Sequence, residues 1–339
     1  MIDLNTIWFV LIGVLLAAYA ILDGFDLGTG VWHLFARRED ERRAHLTAIG
    51  PVWDGNEVWL LTAGGALFAA FPPVYAAVFS GFYLAFMLLL AALIFRAVAL
   101  EFRHHNTAPA WTRWWDWAFG LGSLVPALLY GVAIGNILRG IPIDVAGEFR
   151  GSFLGLLNPY ALLVGALTLV FFAMHGAAYL AMKTNGDQAA RMRTCVTRSW
   201  IAFVALYVAA TVASVFTAPR LFEAILGKPL FWACFPLLLV SVVAIPVFAN
   251  GPQPRRVFAA TSATMFAMVG LAGTSLYPDL APSSLDPAFS LTAYSASSTP
   301  RTLGVMLIIT LVALPAILAY TAYVYYVFRG KVTGDEGYH

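Results

Sequence analysis

Asp23 and Asp26, then Asp54 and Glu57, stand in a stretch of chain otherwise built to cross lipid. Their contexts read Leu-Asp-Gly-Phe-Asp-Leu-Gly-Thr-Gly and Trp-Asp-Gly-Asn-Glu-Val-Trp. A carboxylate at bilayer depth costs roughly 2.5–3.5 kcal/mol on insertion scales. The members of each pair are three residues apart, a spacing that puts both on one helical face. Such groups need pairing, hydration or protonation, and the chemistry they offer is the uptake and release of protons. Arg96 and Glu101 follow at the end of the third apolar stretch and supply the charge partners. One reading is an ion-pair lock around Arg96 that holds three helices together. Several carboxylates and one buried arginine do not balance, however. Surplus acid at low dielectric takes up protons, because burial disfavours the charged form. Proton handling is therefore the leading functional expectation, and it can coexist with the lock.

The elements that must position these groups are membrane helices. The chain has 339 residues, of which 60% are hydrophobic and 11% charged, against about 25% charged in soluble domains. The net charge of +2 is too small to point to nucleic acid. A span needs about 20 mostly apolar residues. Nine emerge, at 7–35, 52–72, 74–102, 113–138, 159–183, 191–217, 229–249, 256–277 and 301–328, forming one membrane domain over 1–339. Phe71-Pro72-Pro73 separates the second from the third, since proline removes a backbone donor and clashes with the preceding turn. The first apolar run is expected to be retained as a span.

Lys and Arg set the direction. Arg37, Arg38, Arg42, Arg43, Arg103, Arg113, Lys183, Arg191, Arg255 and Arg329 all fall on one side, which the positive-inside rule makes cytoplasmic. The N-terminus then faces out and the C-terminus in. This orientation brings Asp23, Asp26, Asp54, Glu57 and Arg96 to similar depth in the inner half. The loop 278–300 is expected to be an outer tether.

Gly24 with Gly28, and Gly131 with Gly135, are small-residue pairs suited to close helix approach. Trp53, Trp114, Trp115 and Trp117 read as belt residues at span ends. Trp59 lies deeper and is a candidate wall for a small-gas passage. Cys195 and Cys234 are placed for neither a disulfide nor a metal. Of six histidines only His175 lies well inside a span. Haem iron usually takes histidine, methionine or cysteine as axial ligand, so this chain cannot hold a set of haems. His175 reads as a hydrogen-bonded packing residue, and Met174 points elsewhere. No catalytic residue and no metal site is expected.

The Asp23 motif, Trp53-Asp54-Gly55-Asn56, the run from Ala63 to Ala70, Phe79-Ser80-Gly81-Phe82-Tyr83, Arg96, Trp115-Asp116-Trp117, Gly131 to Asn136 and Leu157-Asn158-Pro159 resemble subunit II of cytochrome bd-type quinol oxidases. The match runs in order along nearly the whole chain, and the short length is similar to the cyanide-insensitive branch. The resemblance implies a bacterial inner-membrane complex that oxidises quinol and reduces oxygen to water. It implies two haems b and one haem d, all held by subunit I. It implies nine helices arranged as two four-helix bundles plus a peripheral one. It leaves room for a quinone held as a structural lipid and for a small single-span accessory subunit. Asp54 then matches the acid that feeds protons from the cytoplasm, Asp23 and Asp26 match span-one acids nearby, and Trp59 stands beside the oxygen route. Glu57 stands where some members carry glutamine. The alternative from a different class is a proton-coupled secondary transporter, which also places acids near mid-membrane.

Overall fold

The computed structural model describes residues 3–332 except Ala224. The helices are α1 (Leu4–His33), α2 (Glu39–Ile49), α3 (Trp53–Ala70), α4 (Pro72–Gly81), α5 (Tyr83–Phe102), α6 (Pro109–Arg139), α7 (Phe153–Leu156), α8 (Pro159–Lys183), α9 (Gly186–Thr217), α10 (Pro229–Ala249), α11 (Pro254–Leu276) and α12 (Pro300–Val327). Packing sorts them into two groups of four, α1/α3/α5/α6 and α8/α9/α10/α11, joined where α1 and α6 lie against α8 and α1 against α11. Helix α12 stands at the periphery, and Leu303 is its one buried position among the described residues. This is the expected all-α architecture.

Among the described residues, eight helices are long and apolar enough to cross a membrane. The expected span at 52–72 is α3, whose 18 residues reach about 27 Å at 1.5 Å per residue. Its first turns carry Asp54, Asn56 and Glu57, so it does not meet an apolar criterion unaided. The expected third span is split into α4 and α5 at Phe82, whose amide still bonds the Val78 carbonyl at 2.9 Å. Nine is therefore an approximate count.

The seam between the two groups is backbone against backbone. A Cβ added to Gly28 would sit 1.9 Å from the Phe172 carbonyl oxygen, and one added to Gly176 would sit 2.4 Å from the Gly28 carbonyl carbon. A Cβ on Gly131 would meet the Cα of Gly165 at 2.7 Å. No larger residue fits these crossings. They fix α1 and α6 on α8 and so set the depth of every polar group on α1.

Two segments are more ordered than expected. The loop after the first span contains α2, whose Leu46, Ala48 and Ile49 are buried while Arg43 points outward. The segment 278–300 is not a tether. Strands β1 (Asp279–Ala281) and β2 (Leu291–Thr292) pair antiparallel within it. Ser298 donates its amide to the Ala70 carbonyl at 2.8 Å, and Asn5 Nδ2 donates to the Ala293 carbonyl at 3.0 Å. The small residues Ala281, Ala293 and Ala296 bury in one cluster with Trp8, Ile12, Phe71 and Leu303 at the ends of the helices.

Candidate functional site

Arg96 is the largest fully buried side chain in the protein. From α5 it reaches α1 and α3. Nη2 donates to Asp23 Oδ1 at 2.7 Å and Nη1 to Asp23 Oδ2 at 3.3 Å, a two-pronged grip. Nη1 also donates to Glu57 Oε1 at 3.0 Å, and Asp26 Oδ2 lies 3.9 Å from Nη2. Asp26 accepts instead from Asn56 Nδ2 at 2.7 Å. The Tyr19 hydroxyl donates to Asp23 Oδ2 at 2.8 Å and lies 2.6 Å from the Tyr130 hydroxyl. The Tyr325 hydroxyl donates to Asn56 Oδ1 at 2.9 Å. A continuous polar string thus runs from Tyr325 through Asn56, Asp26, Arg96 and Asp23 to Tyr19 and Tyr130. One guanidinium faces three carboxyl groups and ties α1, α3 and α5 together.

The structure brings Asp23, Asp26, Glu57 and Arg96 together. Glu57 keeps 27% of its side chain exposed and forms the open flank of the cluster. Asp54 is exposed at the start of α3 and accepts from the Gly55 amide at 2.7 Å. It stands one turn from Glu57, outside the ion pairs. Glu101 is exposed and takes no part. Five residues after Arg96, it points to a different side of α5. Trp59 is buried with Leu15, Tyr19 and Ala63 beside the cluster. Sequence reasoning missed Tyr19, Asn56, Tyr130 and Tyr325. Tyr19 sits one turn before Asp23, and Asn56 stands inside the motif itself, so both were open to the same spacing rule.

A second polar group closes the end of the bundle where α2 lies. Asp116 of α6 accepts from Arg103 Nε at 2.6 Å, from Arg42 of α2 and from His33 Nε2 at 2.7 Å. Arg103 continues to Glu39, Nη2 to Oε2 at 2.9 Å. Glu41 accepts from the Arg37 amide at 2.9 Å and from Arg191 at 3.0 Å. Burial works against charge on Glu39, but bonds from Arg103 and Arg43 outweigh it and hold its carboxyl below the usual range. These pairs dock α2, and with it the chain entering α3, against the bundle.

His45 lies fully buried on the inner face of α2. Burial first, then the nearby His33, Arg191 and Arg42, push its imidazole well below the ordinary value of 6.5. The ring stays neutral in the folded protein, whereas an unfolded segment takes up a proton below about pH 6.5. The stability this contributes is therefore present above about pH 6.5 and lost as the pH falls below it. Protection factors for amide exchange in 39–49, corrected for the intrinsic pH dependence of exchange, are expected to fall between pH 7.5 and 5.5, and His45→Leu to remove most of that dependence. An unchanged profile in the variant would assign the slope to other groups.

His175 is held by protein on both nitrogens. Nε2 donates to the Ile21 carbonyl at 3.0 Å, Nδ1 faces the Thr261 hydroxyl at 2.7 Å, and the ring stacks on Phe258 at 4.7 Å. Neither nitrogen is free for iron. Its neighbour Met174 is fully buried in the apolar core. His175 and Met174 therefore do not fit a haem.

The chain matches the family model described as cytochrome bd terminal oxidase subunit II over residues 4–328. It is 38% identical to cytochrome bd-I ubiquinol oxidase subunit 2 of Escherichia coli (strain K12) over 336 residues, covering 89% of this chain and 88% of that one. It is 35% identical to cytochrome bd ubiquinol oxidase subunit 2 of Bacillus subtilis (strain 168), covering 91% and 90%. Its fold is similar to a chain in the structure of bd oxidase from Geobacillus thermodenitrificans, with a TM-score of 0.80 at 16% identity, covering 96% and 98%.

Proposed function

The chain belongs to the cytochrome bd terminal oxidase subunit II family, and from that premise we propose that it is the haem-free subunit that carries protons from the cytoplasm towards haems held by subunit I. Membership makes it an integral membrane subunit of a respiratory quinol oxidase complex. Quinol oxidation and oxygen reduction belong to the partner, whose two haems b and one haem d carry electrons from quinol to oxygen. A small accessory subunit and a structurally held quinone are compatible with this arrangement.

The observation that carries the reading is the buried cluster of Asp23, Asp26 and Glu57 around Arg96. Making water from oxygen consumes protons, and a haem site within the membrane cannot draw them from lipid. A string of carboxyl and hydroxyl groups supplies them, because each group accepts and then donates. Asp54, exposed at the cytoplasmic start of α3, collects. Glu57 hands on to the Arg96 cluster, where Asp23 and Asp26 hold the proton beside the guanidinium. Asp23 and Asp26 then pass it towards the haems across the interface with subunit I. Trp59 lines the apolar side, consistent with an oxygen route. With the N-terminus outside and the C-terminus inside, protons leave the cytoplasm while quinol releases its own at the opposite face. That builds a proton-motive force without a pump.

Asp54→Asn in the assembled complex, reconstituted in proteoliposomes, is expected to lower oxygen consumption and interior alkalinisation together by about fivefold, with haem content unchanged. Wild-type rates at full haem loading would remove Asp54 from the path. Collapse of haem content would instead make it structural.

A further inference from the structure

Among the described residues, the buried side-chain atoms without a hydrogen-bond partner are Asp26 Oδ1, Thr29 Oγ1, His33 Nδ1, both ring nitrogens of His45, Arg96 Nε and Trp115 Nε1. All but the last trace one line. Asp26, Thr29 and His33 follow at intervals of three and four residues, so they share one face of α1 over about 10 Å. At the inner end stands Arg96, paired with the acids of α1. At the opposite end of the file the His45 ring of α2 lies 5.8 Å from the His33 ring. Beyond His33 opens a cavity of about 140 Å³ lined by His33, Arg42, Arg113 and Asp116.

A buried polar group left unsatisfied costs about 1–3 kcal/mol. So many in one file, in a protein that satisfies both nitrogens of the equally buried His175, calls for partners from internal water. Internal waters settle where polar partners converge and there is room for them. The cavity at the cytoplasmic end provides the room, and the spaced donors and acceptors provide the partners.

We propose that this file is a proton intake of the chain's own, running from the cavity beside Asp116 through His33, His45 and Thr29 by way of internal waters to Asp26. It rests on the reading of the Arg96 cluster as a relay and adds a second intake to the one at Asp54 and Glu57. At each imidazole a proton arrives on one nitrogen and leaves from the other, so the ring keeps its charge. The Thr29 hydroxyl accepts a hydrogen bond and passes its own proton on. For each proton leaving the cavity, one arrives on Asp26. The groups facing His33 are Asp116 of α6, Arg42 and His45 of α2, and Arg103 beyond α5; those facing His45 are His33, Arg42 and Arg191 of α9. The cations admit protons singly and discourage a standing charge on His45.

The test uses the two-subunit complex carrying Asp54→Asn, so that the first intake is impaired. Adding Thr29→Val is expected to cut the remaining oxygen turnover about tenfold, with Thr29→Ser keeping it and haem content intact. His45→Leu is expected to act in the same direction. Valine and leucine variants that both keep the parent rate overturn the intake. If Asp26→Asn also keeps that rate, the relay itself falls; if Asp26→Asn is inactive, only the intake does. Hydroxyl-radical footprinting of the wild-type complex gives a readout independent of turnover. His33 and His45 are expected to be modified faster than His175, and equal protection of all three overturns the proposal.

Discussion

Replacing Arg96 with methionine is expected to prevent the complex from assembling. Arg96 is fully buried and is the only cation among the described residues that reaches Asp23, Asp26 and Glu57. Methionine fills similar space but leaves these carboxyl groups without their counter-charge. Removing one partner from a buried ionic group costs about 3–5 kcal/mol, a large share of the 5–15 kcal/mol that holds a domain together. Lysine is expected to recover little, since a point charge cannot reproduce the two-pronged contact with Asp23. The measurement is the recovery of both subunits and of haem absorbance from membranes. A second change, Asp23→Asn on the methionine background, is expected to restore part of the yield by removing one uncompensated charge. Full yield from the single variant would mean that the lock contributes nothing.

Asp26→Asn should give the opposite phenotype, an assembled complex that hardly turns over. Asp26 is the carboxylate least committed to structure. It lies 3.9 Å from Arg96 while Asp23 makes the close contacts, and Oδ1 has no partner. Asparagine keeps the shape and can accept from Asn56 Nδ2, so α1 and α3 stay in register. It cannot take up a proton and give it back. Oxygen consumption is expected to fall about a hundredfold with haem content unchanged, within the range for loss of a positioned acid–base group. The quinol-reducible haem signal should persist, because electrons still arrive while protons do not. Undiminished turnover would take Asp26 out of the path and overturn the relay through the Arg96 cluster.

Much of this site was legible in the sequence for a simple reason. Lipid tolerates few charges, so Asp23, Asp26, Glu57 and Arg96 stood out against apolar surroundings, and hydropathy gave their depth. Direction within a helix was less legible. Asp54 and Glu57 share a spacing that suggests one face, yet Asp54 falls on the first turn of α3 and turns outward. Glu101 has the right depth but the wrong angular position relative to Arg96. Pairings between distant parts of the chain were not legible at all. His33 meets Asp116 across 83 residues, and Tyr325 reaches Asn56 across 269. Helix α2 was hidden because its arginines read as a topological signal and masked the apolar stripe beneath. The order of 278–300 came from small residues, whose burial leaves little trace in hydropathy.

The glycine crossings between α1 and α8 bear on what kind of machine this is. A carrier that shows its cargo first to one side and then to the other needs two bodies free to rock about a hinge. Here the halves touch through bare main chain at Gly28 and Gly176, and any tilt would drive peptide groups into one another. Such a joint resists the rocking that alternating access requires, and it holds the side chains buried beside it at fixed spacing.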